Sequence, residues 1–268
     1  MWSSLAFAGA LALAPGQVGD LALDNVRLTY GRLGTERPDE NVLPGDVVYV
    51  TFDISNIKVD EVGYVNYSMT MEVFGPDGKK ILESKPGKPS RDFLPLGGNT
   101  LPGHAFVQLG ADQAPGEYSC KLTVTDNIAK ATDTLTQKFT VVRKRFGIVA
   151  VASTSDPNAD FPSPMSGFSG ESLWVHFCAI HFQRDRTKDQ PDVEFQMTVL
   201  DEDGRPTVKK PTLYEVNKDV GEKETLIRMR LPVPMNRPGK YVIVIKATDR
   251  VGRTSDTIRL PLYVVARQ

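Results

Sequence analysis

The stretch Pro115-Gly116-Glu117-Tyr118-Ser119-Cys120-Lys121-Leu122-Thr123-Val124-Thr125-Asp126 decides how this chain is read. A Pro-Gly turn opens it, alternating residues follow, and Thr-Asp closes it. The same signs return as Pro238-Gly239-Lys240-Tyr241 and Thr248-Asp249, at the same spacing. Outward from this pair the correspondence continues in order. Val48-Tyr49-Val50-Thr51-Phe52 matches Leu173-Trp174-Val175-His176-Phe177. Met71-Glu72-Val73-Phe74 before Asp77-Gly78 matches Met197-Thr198-Val199-Leu200 before Asp203-Gly204, and Phe139-Thr140-Val141-Val142 matches Leu262-Tyr263-Val264-Val265. Self-similarity of this kind predicts two copies of one fold.

Each copy reads as β. Val48, Val50, Phe52 and Ile54 alternate with Tyr49, Thr51, Asp53 and Ser55, as Leu173, Val175, Phe177 and Ala179 do with Trp174, His176 and Cys178. A period of two buries one set and turns the other outward. The Asp-Gly pairs 77–78 and 203–204 lie between extended runs and mark hairpins, because glycine adopts positive φ without steric cost. Strands are expected at 21–30, 46–55, 65–74, 79–84, 104–109, 117–125 and 132–142. In the second copy they are expected at 146–154, 172–181, 193–200, 206–216, 225–231, 240–248 and 254–265. Seven short strands in about 120 residues favour a two-sheet sandwich.

Tyr118-Ser119-Cys120 resembles the Tyr-x-Cys of strand F in immunoglobulin domains, and Tyr241-Val242-Ile243 fills the same place in the second copy. The Pro-Gly-x-Tyr and Thr-Asp signs are similar to the ending of bacterial Ig-like, PKD-like and fibronectin-III-like modules. The resemblance covers roughly residues 20–266 and implies a fold class: all-β, two tandem seven-stranded Ig-like antiparallel β-sandwiches with a short linker. It also implies structural corners at Tyr118 and Tyr241, whose hydroxyls pin the chain between strands E and F. The residue expected opposite Cys120 is one such as Val50 or Phe52, so no inter-sheet disulfide forms and each core holds by apolar burial. The units are then a segment 1–19, a first domain at 20–142 and a second at 146–266.

The 268 residues carry 32 Lys and Arg against 33 Asp and Glu, a net charge of −1. That balance argues against a dedicated nucleic-acid partner or a polybasic membrane-surface protein. At 40% hydrophobic and 24% charged residues, two ordinary cores are within reach. Cys120 and Cys178 are too few for a disulfide scaffold, fall in different copies and are expected to be free.

Residues 1–14 (MWSSLAFAGALALA) are apolar and small, with no Lys or Arg before Arg27. The run is too short for a transmembrane helix, which needs about 20 apolar residues. It matches the apolar region of a secretory signal, with Ala12-Leu13-Ala14 as an A-x-A-like site. The basic n-region is missing and Pro15 follows the site. The expectation is export to the periplasm, cell surface or medium, with no membrane span in the mature chain.

Only Arg143-Lys144-Arg145 separates the copies, so the two must nearly abut. Loops at the end of copy one carry Glu36, Asp39, Glu40 and Asp112, and loops at the start of copy two carry Arg184, Arg186, Lys188, Arg250 and Arg253. This suggests acidic loops facing basic ones.

Candidate chemistry is sparse. His176 and Cys178 share a strand face at a spacing that suits two zinc ligands, with His181 near, but a third ligand is not visible. Asp156, Asn158 and Asp160 form half of a calcium loop, which lacks the glycine and the bidentate glutamate that complete one. Calcium at the junction is disfavoured by repulsion from Arg143-Lys144-Arg145. There is no G-x-S-x-G elbow, P-loop or dinucleotide fingerprint, and His104 sits on an edge strand. No metal, cofactor or catalytic residue is assigned, and the chain is not read as an enzyme. Tyr49, Trp174 and His176 are the candidate interaction surface, since outward aromatic side chains need cover. The reading is a non-catalytic exported structural or protein-interaction module with a protein partner in the envelope or outside the cell. Carbohydrate binding or calcium-dependent adhesion is the second reading, and an accessory domain of an enzyme the third.

Overall fold

The structure, a computed structural model, describes residues 20–84 and 87–267, so the apolar segment 1–19 lies outside the described residues. Among them every regular element is a strand, and no helix is long and apolar enough to cross a membrane. Nine strands precede the linker: β1 Ala22–Thr29, β2 Asn41–Val42, β3 Val47–Ser55, β4 Tyr64–Phe74, β5 Lys80–Ser84, β6 Ser90–Phe93, β7 Leu101–Gln108, β8 Gly116–Asp126 and β9 Thr132–Val141. Eight follow: β10 Gly147–Thr154, β11 Ser166–Phe168, β12 Ser172–Ile180, β13 Val193–Leu200, β14 Thr212–Val216, β15 Leu226–Pro234, β16 Gly239–Asp249 and β17 Thr254–Val265.

They form four sheets. The first half has β1-β3-β7 and β2-β9-β8-β4-β5, with β6 also on β4; the second has β10-β12-β15 and β11-β17-β16-β13-β14. The seven-strand expectation for each half therefore misses three short strands. Asn41–Val42 and Ser166–Phe168 add parallel to β9 and β17, and Ser90–Phe93 adds to the edge of β4. Two to four residues hold too few alternations to be read locally; they are strands because a neighbour's edge is there to pair with. Similarly, the run expected at 206–216 pairs as a strand only from Thr212, after a single bridge between Leu200 and Pro206.

Alternation builds the cores. Val48, Val50, Phe52 and Ile54 face Val73, Cys120, Leu122, Val124 and Phe139 in one buried cluster that draws on both sheets of the first half. Leu173, Val175, Phe177, Phe195, Leu231, Ile243 and Leu260 do the same in the second half. Both Asp-Gly hairpins turn on a left-handed glycine, Gly78 at φ 73° and Gly204 at φ 75°.

The Thr-Asp pairs end strands β8 and β16 on fully buried carboxylates. Asp126 accepts the N–H groups of Ile128 and Ala129 in its own turn and of Lys58 across the half, at 2.7–3.0 Å. Asp249 accepts those of Val251 and Gly252 and, across the half, of Gln183, at 2.8–3.1 Å. Each aspartate thus ties the turn after its strand to the loop after the facing sheet's central strand.

The halves meet through an apolar cluster of Leu43, Val149 and Ile180, edged by Val142, Cys178 and Leu226. Beside it lies a buried ion pair, Arg37 Nη2 to Asp46 Oδ2 at 2.9 Å, with the guanidinium 4.6 Å from the Tyr30 ring centre. The acidic-to-basic loop contact expected from the sequence is not what forms. Asp112 pairs with Lys144 of the linker, and Glu40 accepts from Gln137 in its own half. Arg184 is spent on the carbonyls of Asp189, Val220, Gly221 and Glu224, and Arg250 pairs with Asp192, Glu194 and Glu215. Exposed ion pairs contribute about 0–1 kcal/mol, so nearby loop carbonyls and local acids outcompete a distant partner.

Candidate functional site

The outer face of β1-β3-β7 gathers the richest set of side chains. Backbone pairing stacks it in three rungs: Thr29, Tyr49 and Phe106; Arg27, Thr51 and His104; then Asp53 with Pro102. Residues two apart on a strand share a face at about 7 Å spacing, so neighbouring rungs are within reach of one ligand. A β-bulge between Asp24 and Arg27, with Asn25 at φ 51°, sets the register that brings Arg27 to this face. The loop after β1 folds back to pair Thr29 with Glu36 and walls one side of a cleft of about 470 Å³.

The cleft mixes apolar side chains, Leu33, Phe52 and Pro102, with polar ones. Thr51 is 8% exposed although it faces outward, and its hydroxyl finds no partner among the described residues. The hydroxyl of Thr35, on the loop wall, is in the same position. Buried hydroxyls without partners are uncommon and call for an explanation. Arg27 and Arg32 supply cationic donors, and Asp53 and Glu36 supply acidic acceptors. Asp53 already accepts from Asn25 Nδ2 at 2.7 Å. Burial, with Arg32 nearby, holds His104 below the ordinary imidazole range, so at neutral pH the ring is uncharged and offers one donor and one acceptor. On the next rung Tyr49 and Phe106 lie 5.6 Å apart between ring centres, with Phe106 51% exposed.

The other sequence-derived residues lie elsewhere. Trp174 is half-buried on the outer face of β12, between Thr154 and Pro232. His176, also half-buried, meets the Thr154 hydroxyl through Nε2 at 2.9 Å. Cys178 is covered by the junction, and His181 contacts the Pro44 carbonyl of the first half at 3.3 Å. Tyr49 and Trp174 thus sit on separate sheets, one in each half. Among the described residues no three His, Cys, Asp or Glu side chains converge as a metal site. Asp156 spends both oxygens on the N–H groups of Asn158, Asp160 and Phe161, an Asx turn. The Tyr118 hydroxyl donates to the Ala114 carbonyl at 2.8 Å and accepts from Gln113. The Tyr241 hydroxyl lies 3.1–3.2 Å from the carbonyls of Arg237 and Pro238 and accepts from Arg237 Nε.

Arg27, Arg32, Thr51 and Phe106 escape a reading of the sequence as site residues. Alternation places Thr51 beside Tyr49, but nothing local states that β7 pairs in a register setting Phe106 and His104 opposite them.

The chain matches no protein-family model and no curated protein. Among solved structures it is similar to the C-terminal domain of the Streptococcus agalactiae AgI/II polypeptide BspA, at TM-score 0.29 and 8% identity over 89% of this chain and 99% of that one. The C-terminal domain of the Streptococcus pyogenes antigen I/II-family protein AspA gives 0.30 and 8% over 91% and 100%. Dimeric latent PorU from Porphyromonas gingivalis gives 0.41 and 15% over 94% of this chain and 21% of that one.

Proposed function

We propose that the chain is a non-catalytic, exported module of two tandem Ig-like sandwiches that serves as a structural or protein-interaction element in the envelope or outside the cell. The sheet orders β1-β3-β7 and β10-β12-β15 correspond strand for strand, as do β2-β9-β8-β4-β5 and β11-β17-β16-β13-β14, which supports duplication. The apolar segment 1–19 supports export. The observation that carries the reading is the junction. An apolar cluster, a buried ion pair and a cross-half hydrogen bond from Ala150 N–H to Asp46 make a spacer of fixed geometry that presents its outer sheet faces. A chain built for spacing and presentation needs such a joint; two independent domains on a loose tether do not.

The test is photo-crosslinking in the native cell, with a photoreactive phenylalanine at position 106 or 174. A discrete crosslinked protein in the envelope or medium fraction is expected. Retention of the chain in the cytoplasm, or an absence of crosslinks at both positions, overturns the proposal.

A further inference from the structure

We propose that the cleft on the outer face of β1-β3-β7 binds a neutral saccharide, with a sugar ring laid on the Tyr49–Phe106 pair and its hydroxyls over Thr51 and His104. This goes beyond the module reading and stands without it, since neither export nor a protein partner is required for it. Three independent features point to this ligand.

The first is charge. Arg27 and Arg32 are offset by Asp53 and Glu36, so the cleft has many hydrogen-bonding groups and no net sign. An anionic ligand gains from the arginines and loses to the carboxylates. A polyol, whose every hydroxyl both donates and accepts, gains from all of them.

The second is the stranded hydroxyls of Thr51 and Thr35. Leaving a polar group buried and unpaired costs about 1–3 kcal/mol, and a ligand that supplies the missing partner recovers it. A simple packing role for position 51 would be served better by valine, which has the same shape and no such penalty.

The third is the aromatic pair one rung away, with Phe106 exposed and Tyr49 half-buried beside it. The C–H face of a pyranose is apolar and broad, and an aromatic face buries it while the ring hydroxyls stay in the polar plane. An extended peptide is a poorer fit. Peptides claim a strand edge through backbone hydrogen bonds, whereas this site lies on the flat of the sheet.

The experiment titrates the full chain, labelled with nitrogen-15, with cellohexaose, maltohexaose and chitohexaose as neutral probes. Saturable amide shifts at residues 27, 51, 104 and 106 are expected with at least one of them. Phe106→Ala and Thr51→Val should each weaken binding by about tenfold. Thr51→Val should do so while the free protein unfolds at equal or higher denaturant, which separates lost recognition from lost folding. Phe168→Ala, removing an exposed aromatic ring of the second half, should leave affinity unchanged. No saturable shift with any probe overturns the proposal. So does binding of hexaglutamate or a heparin hexasaccharide at these residues in place of the neutral sugars, or equal weakening by Phe168→Ala.

Discussion

The Asp46 carboxylate accepts the backbone N–H of Ala150 at 2.8 Å, across 104 residues of sequence and from one half of the molecule to the other. Ala150 sits at φ 51° in the β-bulge of β10 between Val149 and Ala152, a conformation that L-residues avoid. The same oxygen also accepts the Val47 N–H, and the second oxygen pairs with Arg37. One carboxylate therefore holds the start of β3, the loop after β1 and the bulge of the neighbouring half.

Asp46→Ala is expected to lower stability by about 3 kcal/mol, because it strands a buried guanidinium. Arg37→Met should cost less, since Asp46 keeps two N–H donors. Urea denaturation checks the order. Nitrogen-15 relaxation should show the two halves of the wild type tumbling as one body and those of Asp46→Ala less strongly coupled.

Asp126→Asn and Asp249→Asn are each expected to destabilise by about 2 kcal/mol, because charge-assisted bonds to three N–H groups become bonds to one neutral oxygen plus a misplaced NH₂. Hydrogen exchange should locate the loosening in the turn after β8 or β16 and at Lys58 or Gln183. Loosening confined to the turn alone would mean that the carboxylate does not brace the facing loop.

Tyr118→Phe is expected to cost about 1 kcal/mol in a chemical denaturation midpoint, the worth of one hydrogen bond from a buried hydroxyl to the Ala114 carbonyl. Tyr241→Phe should cost less, because its bonds are longer and water reaches them. Equal losses would place both hydroxyls in the same environment, against the geometry.

Burial pushes the Cys120 thiol up to about 12 from an ordinary value near 9, and shifts Cys178 upward as well. The folded state holds these protons longer than the unfolded chain does. The Cys120 contribution to stability is whole below pH 9 and is lost as pH rises from about 9 toward 12. A thiol reagent at pH 8 should therefore modify Cys120 only at the rate of unfolding, so labelling accelerated by denaturant is the expected readout. Prompt labelling at Cys120 itself, located by peptide mapping to separate it from the half-buried Cys178, would contradict the buried position.

The all-strand character is legible residue by residue. The period-two runs at Val48–Ile54 and Leu173–Ala179 and the Asp-Gly turns are local signals, because burial of one strand face is imposed on every second side chain of that same strand. The Thr-Asp repeat is visible as well, although not its purpose, since Asp126 and Asp249 act on loops about 66–68 positions away.

What only the tertiary structure decided is register and contact between distant segments. Phe106 and His104 join Tyr49 and Thr51 because β7 pairs with β3 in one register out of several that alternation permits, and a slip of two residues would keep the same core while dispersing the cleft. The junction is hidden for a related reason. Charge composition points to Arg184 and Arg250, yet those side chains are satisfied by local carbonyls and acids, while Asp46 is the acid that crosses. Sequence determines which side chains turn inward; which outward ones meet is decided by the packing of whole sheets.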